Sequence, residues 1–268
     1  MSYWENKVAV VTGGSRGLGL AIAEVLVAAG AKVVVAARDP DVLARSVTEL
    51  RGHGGDVLGI PTDITSDDQV EGMIQAAVAR HGQLDLLVNC AGRSARGAIN
   101  EVTVEQFREL WELNFLGLVR CTQTALPHLM ARRGHVVHIG SLSSKTASPL
   151  MGGYPASKFP LAAYAQQMRL ELGPSGLHVL LVCPGPLDRP DAGERYAAET
   201  GGLPPAADRP GGGAKLATID CRWLAAKIMK ACQKRKAELI VPASARWLFA
   251  LAQLSPRLGD WIVRKKTE

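Results

Sequence analysis

Three residue types able to move a proton stand within one short stretch of this chain: Ser141, Tyr154 and Lys158. Tyr154 and Lys158 lie four apart at the start of a segment that reads as a helix, so their side chains share one face. Ser141 follows the apolar run His135-Val136-Val137-His138-Ile139. A phenol titrates at about pH 10 and is a poor acid or base at neutrality. Bringing it to ~7 asks roughly 4 kcal/mol, which an ammonium about 4 Å away supplies at an effective dielectric of about 20. A hydroxyl, a phenol and an ammonium in this pattern therefore suffice for general acid–base work. A Tyr-x-x-x-Lys alone also occurs by chance on solvated helices, so its weight rests on the rest of the chain.

The elements that would position these groups alternate between strand and helix. Residues 8–11 are a β-branched run without polar break, as in a parallel strand buried on both faces. Thr12-Gly13-Gly14-Ser15-Arg16-Gly17-Leu18-Gly19 follows, then a helical pattern over 20–29 closed by Gly30. Strand, glycine-rich turn and helix together present backbone N–H groups to a phosphate. The second strand spans 32–37. A site that selects NAD has an acid near the end of this strand; here Ala37 and Arg38 stand there. Asp39 precedes Pro40, which biases it to an extended turn. Arg38 and Arg16 can both reach a 2′-phosphate, and the pair favours NADP(H).

A helix over 40–53, a strand over 56–60 and Thr62-Asp63-Ile64 come next, with Asp63 just past a strand's C-terminal end. Ser66 N-caps a helix whose apolar face is Val70, Met73, Ile74, Ala77 and Val78. The strand 84–88 ends in Asn89-Cys90-Ala91-Gly92. Further strands are read at 179–183 and 238–241, and a helix at 219–234 with Trp223, Ile228 and Met229 as core residues.

These motifs resemble the short-chain dehydrogenase/reductase (SDR) family over residues 5–242. Thr12-Gly13-x-x-x-Gly17-x-Gly19 resembles the family's cofactor loop. Asn89-Cys90-Ala91-Gly92 resembles its Asn-Asn-Ala-Gly motif with Cys90 for the second Asn, and Asn114 sits where the family has its catalytic asparagine. Ser141, Tyr154 and Lys158 match its catalytic triad in order and spacing, and Pro184-Gly185 its turn beside the nicotinamide. The resemblance implies an α/β fold, a single Rossmann-type doubly wound parallel seven-stranded sheet with helices on both faces. It implies cofactor contacts from Gly13, Ser15, Arg16, Gly17, Leu18, Gly19, Arg38, Asp63, Ile64, Asn89, Ala91, Gly92, Tyr154, Lys158, Pro184, Gly185 and Leu187. The activity implied is NADP(H)-dependent interconversion of a carbonyl and an alcohol on a small hydrophobic substrate. A non-catalytic NADP(H)-binding sensor of the same fold is the alternative, which the intact Asn114, Ser141, Tyr154 and Lys158 disfavour.

Three departures mark this chain. Cys90 replaces an amide and bears on packing more than on chemistry. Pro160 interrupts the helix just after Lys158. Asp188 stands where the family often has a threonine that bonds the nicotinamide amide. Residues 188–217, rich in Pro and Gly, are expected to form the substrate loop.

At 268 residues with 47% hydrophobic and 21% charged, the chain can bury a large core as one α/β unit. A net charge of +6 suggests anionic ligands, yet no basic run is interleaved with aromatics as on a nucleic-acid surface. Five cysteines without a Cys-x-x-Cys read as reduced thiols, with no metal site. With no leader sequence and no spanning segment read, a cytoplasmic protein is expected. Residues 243–268 form a C-terminal extension of two short helices split at Pro256. Trp247, Leu251, Leu254 and Leu258 recur as a stripe for the parent domain, leaving Leu248 and Phe249 in excess. A homo-dimer or homo-tetramer interface is the first use of that excess, and a weak membrane-surface contact the second.

Overall fold

Strands that are apolar on both faces need helices on both sides, and the chain folds accordingly. The computed structural model describes residues 2–189, 196, 199–209, 211, 213 and 216–267, without the side chain of residue 206. β1 (Val8–Thr12), β2 (Lys32–Ala37), β3 (Val57–Pro61), β4 (Leu86–Asn89), β5 (His135–Ile139), β6 (His178–Pro184) and β7 (Glu238–Val241) make one parallel sheet. Its order is β3-β2-β1-β4-β5-β6-β7, the doubly wound arrangement expected. The order reverses between β1 and β4, and a ligand cleft opens at the C-terminal ends of strands at such a point.

The helices are α1 (Gly17–Ala28), α2 (Pro40–Gly52), α3 (Asp67–His81), α4 (Val104–Trp111), α5 (Gly117–Ala131), α6 (Tyr154–Lys158), α7 (Pro160–Leu172), α8 (Cys221–Gln233), α9 (Ala245–Leu254) and α10 (Pro256–Thr267). Val11, Val35, Val88, Val137 and Val182 face a core shared with α1, α2 and α8. Their neighbours Val10, Val34, Leu87, Val136 and Leu181 face a second core with α3, α5 and α7. Thr12 Oγ1 accepts from the N–H groups of Cys90 and Ala91, so the ends of β1 and β4 are tied together at the switch point.

Two expectations are corrected. Trp223 is not core: it is 49% exposed, with the Lys227 ammonium 4.0 Å from its ring centroid. Asp220 caps the Trp223 N–H at 2.6 Å, so α8 starts at Cys221 and turns Leu224, Ile228 and Cys232 inward instead. In the extension the faces are exchanged. Phe249 is buried against the second core and Leu248 packs on it, whereas Trp247 and Leu254 are 76% and 83% exposed. α10 folds back on α9, with Gly259 so close to Ala252 that a Cβ on the glycine would lie 2.7 Å from the alanine's. Among the described residues no helix is long and apolar enough to cross a membrane.

Candidate active site

Each functional side chain is set by a local feature of its element. Ser141 lies one residue past Gly140, which continues β5 by donating its N–H to the Val182 carbonyl at 2.8 Å. Gly140 has no room for a side chain, because a Cβ would lie 2.6 Å from Ser144 Oγ. Ser141 then caps a short 3-10 turn, accepting from the Ser143 N–H at 3.1 Å. Tyr154 opens α6, with Pro155 at a helix start where its missing N–H costs nothing. Pro160 interrupts the ladder at Phe159, but Phe159 keeps helical dihedrals (φ −56°, ψ −44°), so α7 continues from α6.

Burial raises the Tyr154 pKa, and the charge of Tyr196 adds to it; the nearby Ser141 hydroxyl and the positive charges of Arg189 and Arg96 offset only part. Lys158 is buried and donates to the Ile139 carbonyl at 3.1 Å. Burial brings its pKa down to about 8. The expectation that Lys158 lowers the Tyr154 phenol is therefore not met in this arrangement: the ammonium is engaged by β5, and burial keeps the phenol protonated.

Asn114 is fully buried inside a π-helical turn, Glu112–Leu116, between α4 and α5. Such turns re-aim a side chain within a helix and recur at functional sites. Its Oδ1 accepts from the Arg93 N–H at 2.9 Å, and its Nδ2 donates to the Arg93 carbonyl at 2.8 Å and to Ser157 Oγ at 2.9 Å. Gly92 sits against it, where a Cβ would come 2.7 Å from Oδ1. Asn114 thus pins the chain after Gly92 to α6.

A cleft of about 430 Å³ brings Leu18, Gly92, Ser141, Tyr154, Lys158, Pro184, Gly185 and Leu187 together. Cys90 also lines it, rather than serving packing alone, and burial pushes its thiol up to about 11. Three expected contacts point elsewhere. Asn89 Nδ2 donates to Thr122 Oγ1 at 3.0 Å, between sheet and helix. Asp63 accepts from the N–H and hydroxyl of Thr65 at 2.9 and 2.8 Å in a local turn, and Ile64 is buried in the second core.

The glycine loop is built for close approach. Gly13 has φ +65°, and a Cβ there would come 2.8 Å from the Ala91 Cα. Gly17 has φ +54°, and α1 begins with neither a side-chain cap nor an acid in its first turn. Its first N–H groups are left for an anion. Ser15, behind the loop, gives its carbonyl to Ser46 Oγ at 2.8 Å. Gly19 is buried in α1. Arg16 is exposed and pairs with Asp39 at 3.3 Å, while Asp39 caps α2 in the expected extended turn. Arg38 is exposed at the end of β2.

The sequence reading missed several residues. Asp188 turns outward, its N–H paired with the Ile219 carbonyl at 2.9 Å; Arg189 reaches the cleft instead. Arg96 is buried, donating to the Ala207 carbonyl at 2.7 Å with its guanidinium 3.7 Å from the Tyr196 ring centroid. Tyr196 and Ser94 share a short hydrogen bond, and Arg93 pairs with Glu109 and Glu199. Buried arginine is rare enough to stand out in a structure, but nothing in the spacing of Arg93-Ser94-Ala95-Arg96 separates it from surface charge.

The family model for short chain dehydrogenase matches residues 7–200. The chain belongs to this family. It is 30% identical over 272 residues to ketoacyl reductase HetN from Nostoc sp., covering 98% of this chain and 90% of that one. A short-chain dehydrogenase/reductase from Burkholderia phymatum solved with NAD superposes with TM-score 0.84 at 27% identity, over 96% of both chains. A variant of actinorhodin polyketide ketoreductase solved with NADPH gives 0.78 at 28% identity, over 90% of this chain and 97% of that one. This short-chain dehydrogenase is therefore an oxidoreductase whose fold takes a nicotinamide cofactor, and the uncapped α1 beneath a loop that excludes side chains fits its phosphates.

Proposed function

We propose that the chain reduces the carbonyl of a hydrophobic substrate with NADPH, or runs the reverse on the corresponding secondary alcohol. The observation that carries this reading is the convergence of Ser141, Tyr154 and Lys158 in the wall of one apolar cleft that also holds Leu18 of the glycine-loop helix. The nicotinamide supplies the hydride when bound.

The protein's part is to bind, orient and deliver a proton. Gly13, Gly17 and Gly19 give the dinucleotide a floor without side chains, and Tyr154 and Lys158 hold the nicotinamide ribose. The Ser141 hydroxyl orients the substrate carbonyl. Tyr154, kept protonated by burial, donates its phenolic proton to the oxygen as negative charge develops there. In the reverse direction it takes that proton back. The buried Asn114 fixes the backbone after Gly92 and so the floor of the site.

Support for NADP(H) comes from Arg38 at the end of β2, where no acid stands to hold a 2′-hydroxyl. Leu248, Leu251, Ile262 and Val263 of the two C-terminal helices line the far side of the cleft, which suits a hydrophobic substrate. The reading includes a homo-oligomer, since Trp247 and Leu254 are left exposed on α9.

Tyr154→Phe tests the assignment. A positioned general acid contributes about 10²–10⁴-fold, so turnover of a hydrophobic ketone or keto-ester followed by NADPH absorbance should fall by at least that factor. NADPH affinity by calorimetry should hold within about twofold. Appreciable retained turnover would remove Tyr154 from the chemistry.

A further inference from the structure

We infer that Arg189 is a clamp for the dinucleotide's bridging diphosphate, closing over the glycine loop from the opposite wall of the cleft. The inference rests on the nicotinamide-cofactor reading above, and it concerns a residue outside the glycine loop and the Ser141–Tyr154–Lys158 set.

The geometry begins at Gly17. The position a Cβ would take there lies 3.7 Å from the Arg189 Cζ and 3.8 and 3.9 Å from Nη2 and Nη1. The guanidinium therefore lies over Gly17 at the start of α1, at ordinary contact distance from where a side chain would begin. Its chain position follows from the fold. β6 ends at Pro184, Leu187 bridges to Ile219, and the Asp188 N–H is held by the Ile219 carbonyl, so Asp188 points out and Arg189 in. Arg189 lines the cleft with Cys90 and Tyr154, and its charge is felt at both.

The energetics of this place are one-sided. A helix N-terminus carries about half a positive charge, and a cation set against it is repelled. Other cations near this end of the cleft are neutralised or engaged. Arg16 pairs with Asp39, Arg93 with Glu109 and Glu199, Arg96 with backbone carbonyls, and Lys158 with the Ile139 carbonyl. Arg189 is half-buried, and among the described residues it has neither ion pair nor hydrogen bond. A guanidinium offers five donors in a planar fork that matches phosphate oxygens two at a time. An anion that takes the place over the α1 N-terminus, with the guanidinium drawn back onto its outer oxygens, satisfies both and turns two repelling charges into two attractions. The diphosphate is the part of the cofactor that a glycine loop cradles. Because Arg189 stands between Gly17 and a phenol its charge reaches, Tyr154, the nicotinamide-side phosphate is its partner rather than the adenosine-side one.

The test separates this role from cofactor choice. Binding of NADPH, NADH, 2′-phospho-ADP-ribose and 2′,5′-ADP is measured by calorimetry on the full chain and on Arg189→Gln. The first three carry the diphosphate; 2′,5′-ADP keeps the 2′-phosphate but has only the adenosine-side phosphate of the diphosphate. A charge-assisted fork to phosphate predicts a roughly ten- to hundredfold loss for those three and a change within about twofold for 2′,5′-ADP. Arg189→Lys should lie between. The loss is the same for NADPH and NADH even if the preference for the 2′-phosphate fails, so the two readings fall separately. In the unaltered protein, 2′-phospho-ADP-ribose should shield Arg189 from phenylglyoxal, followed by mass spectrometry, and 2′,5′-ADP should not. Unchanged dinucleotide affinity in Arg189→Gln, an equal loss for 2′,5′-ADP, or unshielded Arg189 would each overturn the inference.

Discussion

At the scale of single residues, Lys158 is buried and donates to the Ile139 carbonyl, and the same burial that lowers its pKa to about 8 raises that of Tyr154. Ser141, Tyr154, Lys158 and the loop glycines could be picked out because chemistry and backbone geometry each demand a particular residue there. What a side chain turns toward depends on neighbours distant in sequence. Lys158 looks like the partner of Tyr154 four residues away, yet its ammonium goes to a β5 carbonyl. Asp188 turns out and Arg189 in because one backbone bond to Ile219 fixes which of two adjacent residues faces the cleft. Cofactor choice belongs to this scale. Arg38 stands beyond β2 without an acid beside the ribose, whereas Arg16 is already held by Asp39. Wild-type protein should therefore bind NADPH at least about tenfold more tightly than NADH, a difference of ~1.4 kcal/mol. Arg38→Asp should narrow or invert that ratio in calorimetry. Equal wild-type affinities would show that neither arginine meets the 2′-phosphate.

At the scale of elements, period and punctuation carried most of the information. Strand positions came within one or two residues because each parallel strand is an apolar run bounded by polar or glycine residues. The π turn at Asn114 had no such signal: its sequence, Glu-Leu-Asn-Phe-Leu, reads as ordinary helix. Nor did the pairing of β5 with β6 through polar groups at their N-terminal ends. His178 Nε2 lies 2.9 Å from the Lys236 carbonyl, which can only accept, so the ring carries its proton on Nε2. Its bare Nδ1 then accepts from His135 Nδ1–H at 2.9 Å, leaving His135 Nε2 to accept from the Tyr3 hydroxyl at 2.7 Å. With both rings neutral every bond of this chain is made.

His138, on β5, is likewise neutral, and among the described residues its buried Nε2 has no partner. Burial lowers the pKa values of His135 and His138 to about 3, from 6.5. Between those values the unfolded chain binds protons that the folded chain refuses, so stability rises with pH there. It is fully present above about 6.5 and is lost as pH falls toward about 3. Denaturant melts at pH 7, 5.5 and 4.5 should show a decline, and His138→Leu should flatten it by removing one titrating ring. An acid limb identical in wild type and His138→Leu would show that this ring is not buried neutral.

At the scale of the whole molecule, the alternation of strand and helix pointed to a parallel sheet, and the family resemblance supplied its seven strands and doubly wound form, which the structure has. The C-terminal extension was not, because two faces of α9 are apolar and local sequence does not say which docks. Tertiary contact decides it. Phe249 fills the second core, α10 returns along α9, and together they wall the cleft with Leu248, Leu251, Ile262 and Val263. This leaves Trp247, Leu254 and, at 57% exposure, Trp261 facing outward. Exposed tryptophan and leucine on adjacent helices mark an interaction surface more often than bare solvent contact. Wall and outer face can be tested apart. Ending the chain at Ser255 removes α10 but keeps Phe249 in its seat. This should raise KM for bulky hydrophobic ketones while leaving the NADPH Kd within about twofold, because none of the residues removed belongs to the glycine loop. Trp247→Ser with Leu254→Ser leaves the wall intact and should lower the mass measured by light scattering. A truncated chain with unchanged KM would mean that α10 does not shape the substrate site. Unchanged mass in the double variant would place any contact between copies elsewhere on the molecule.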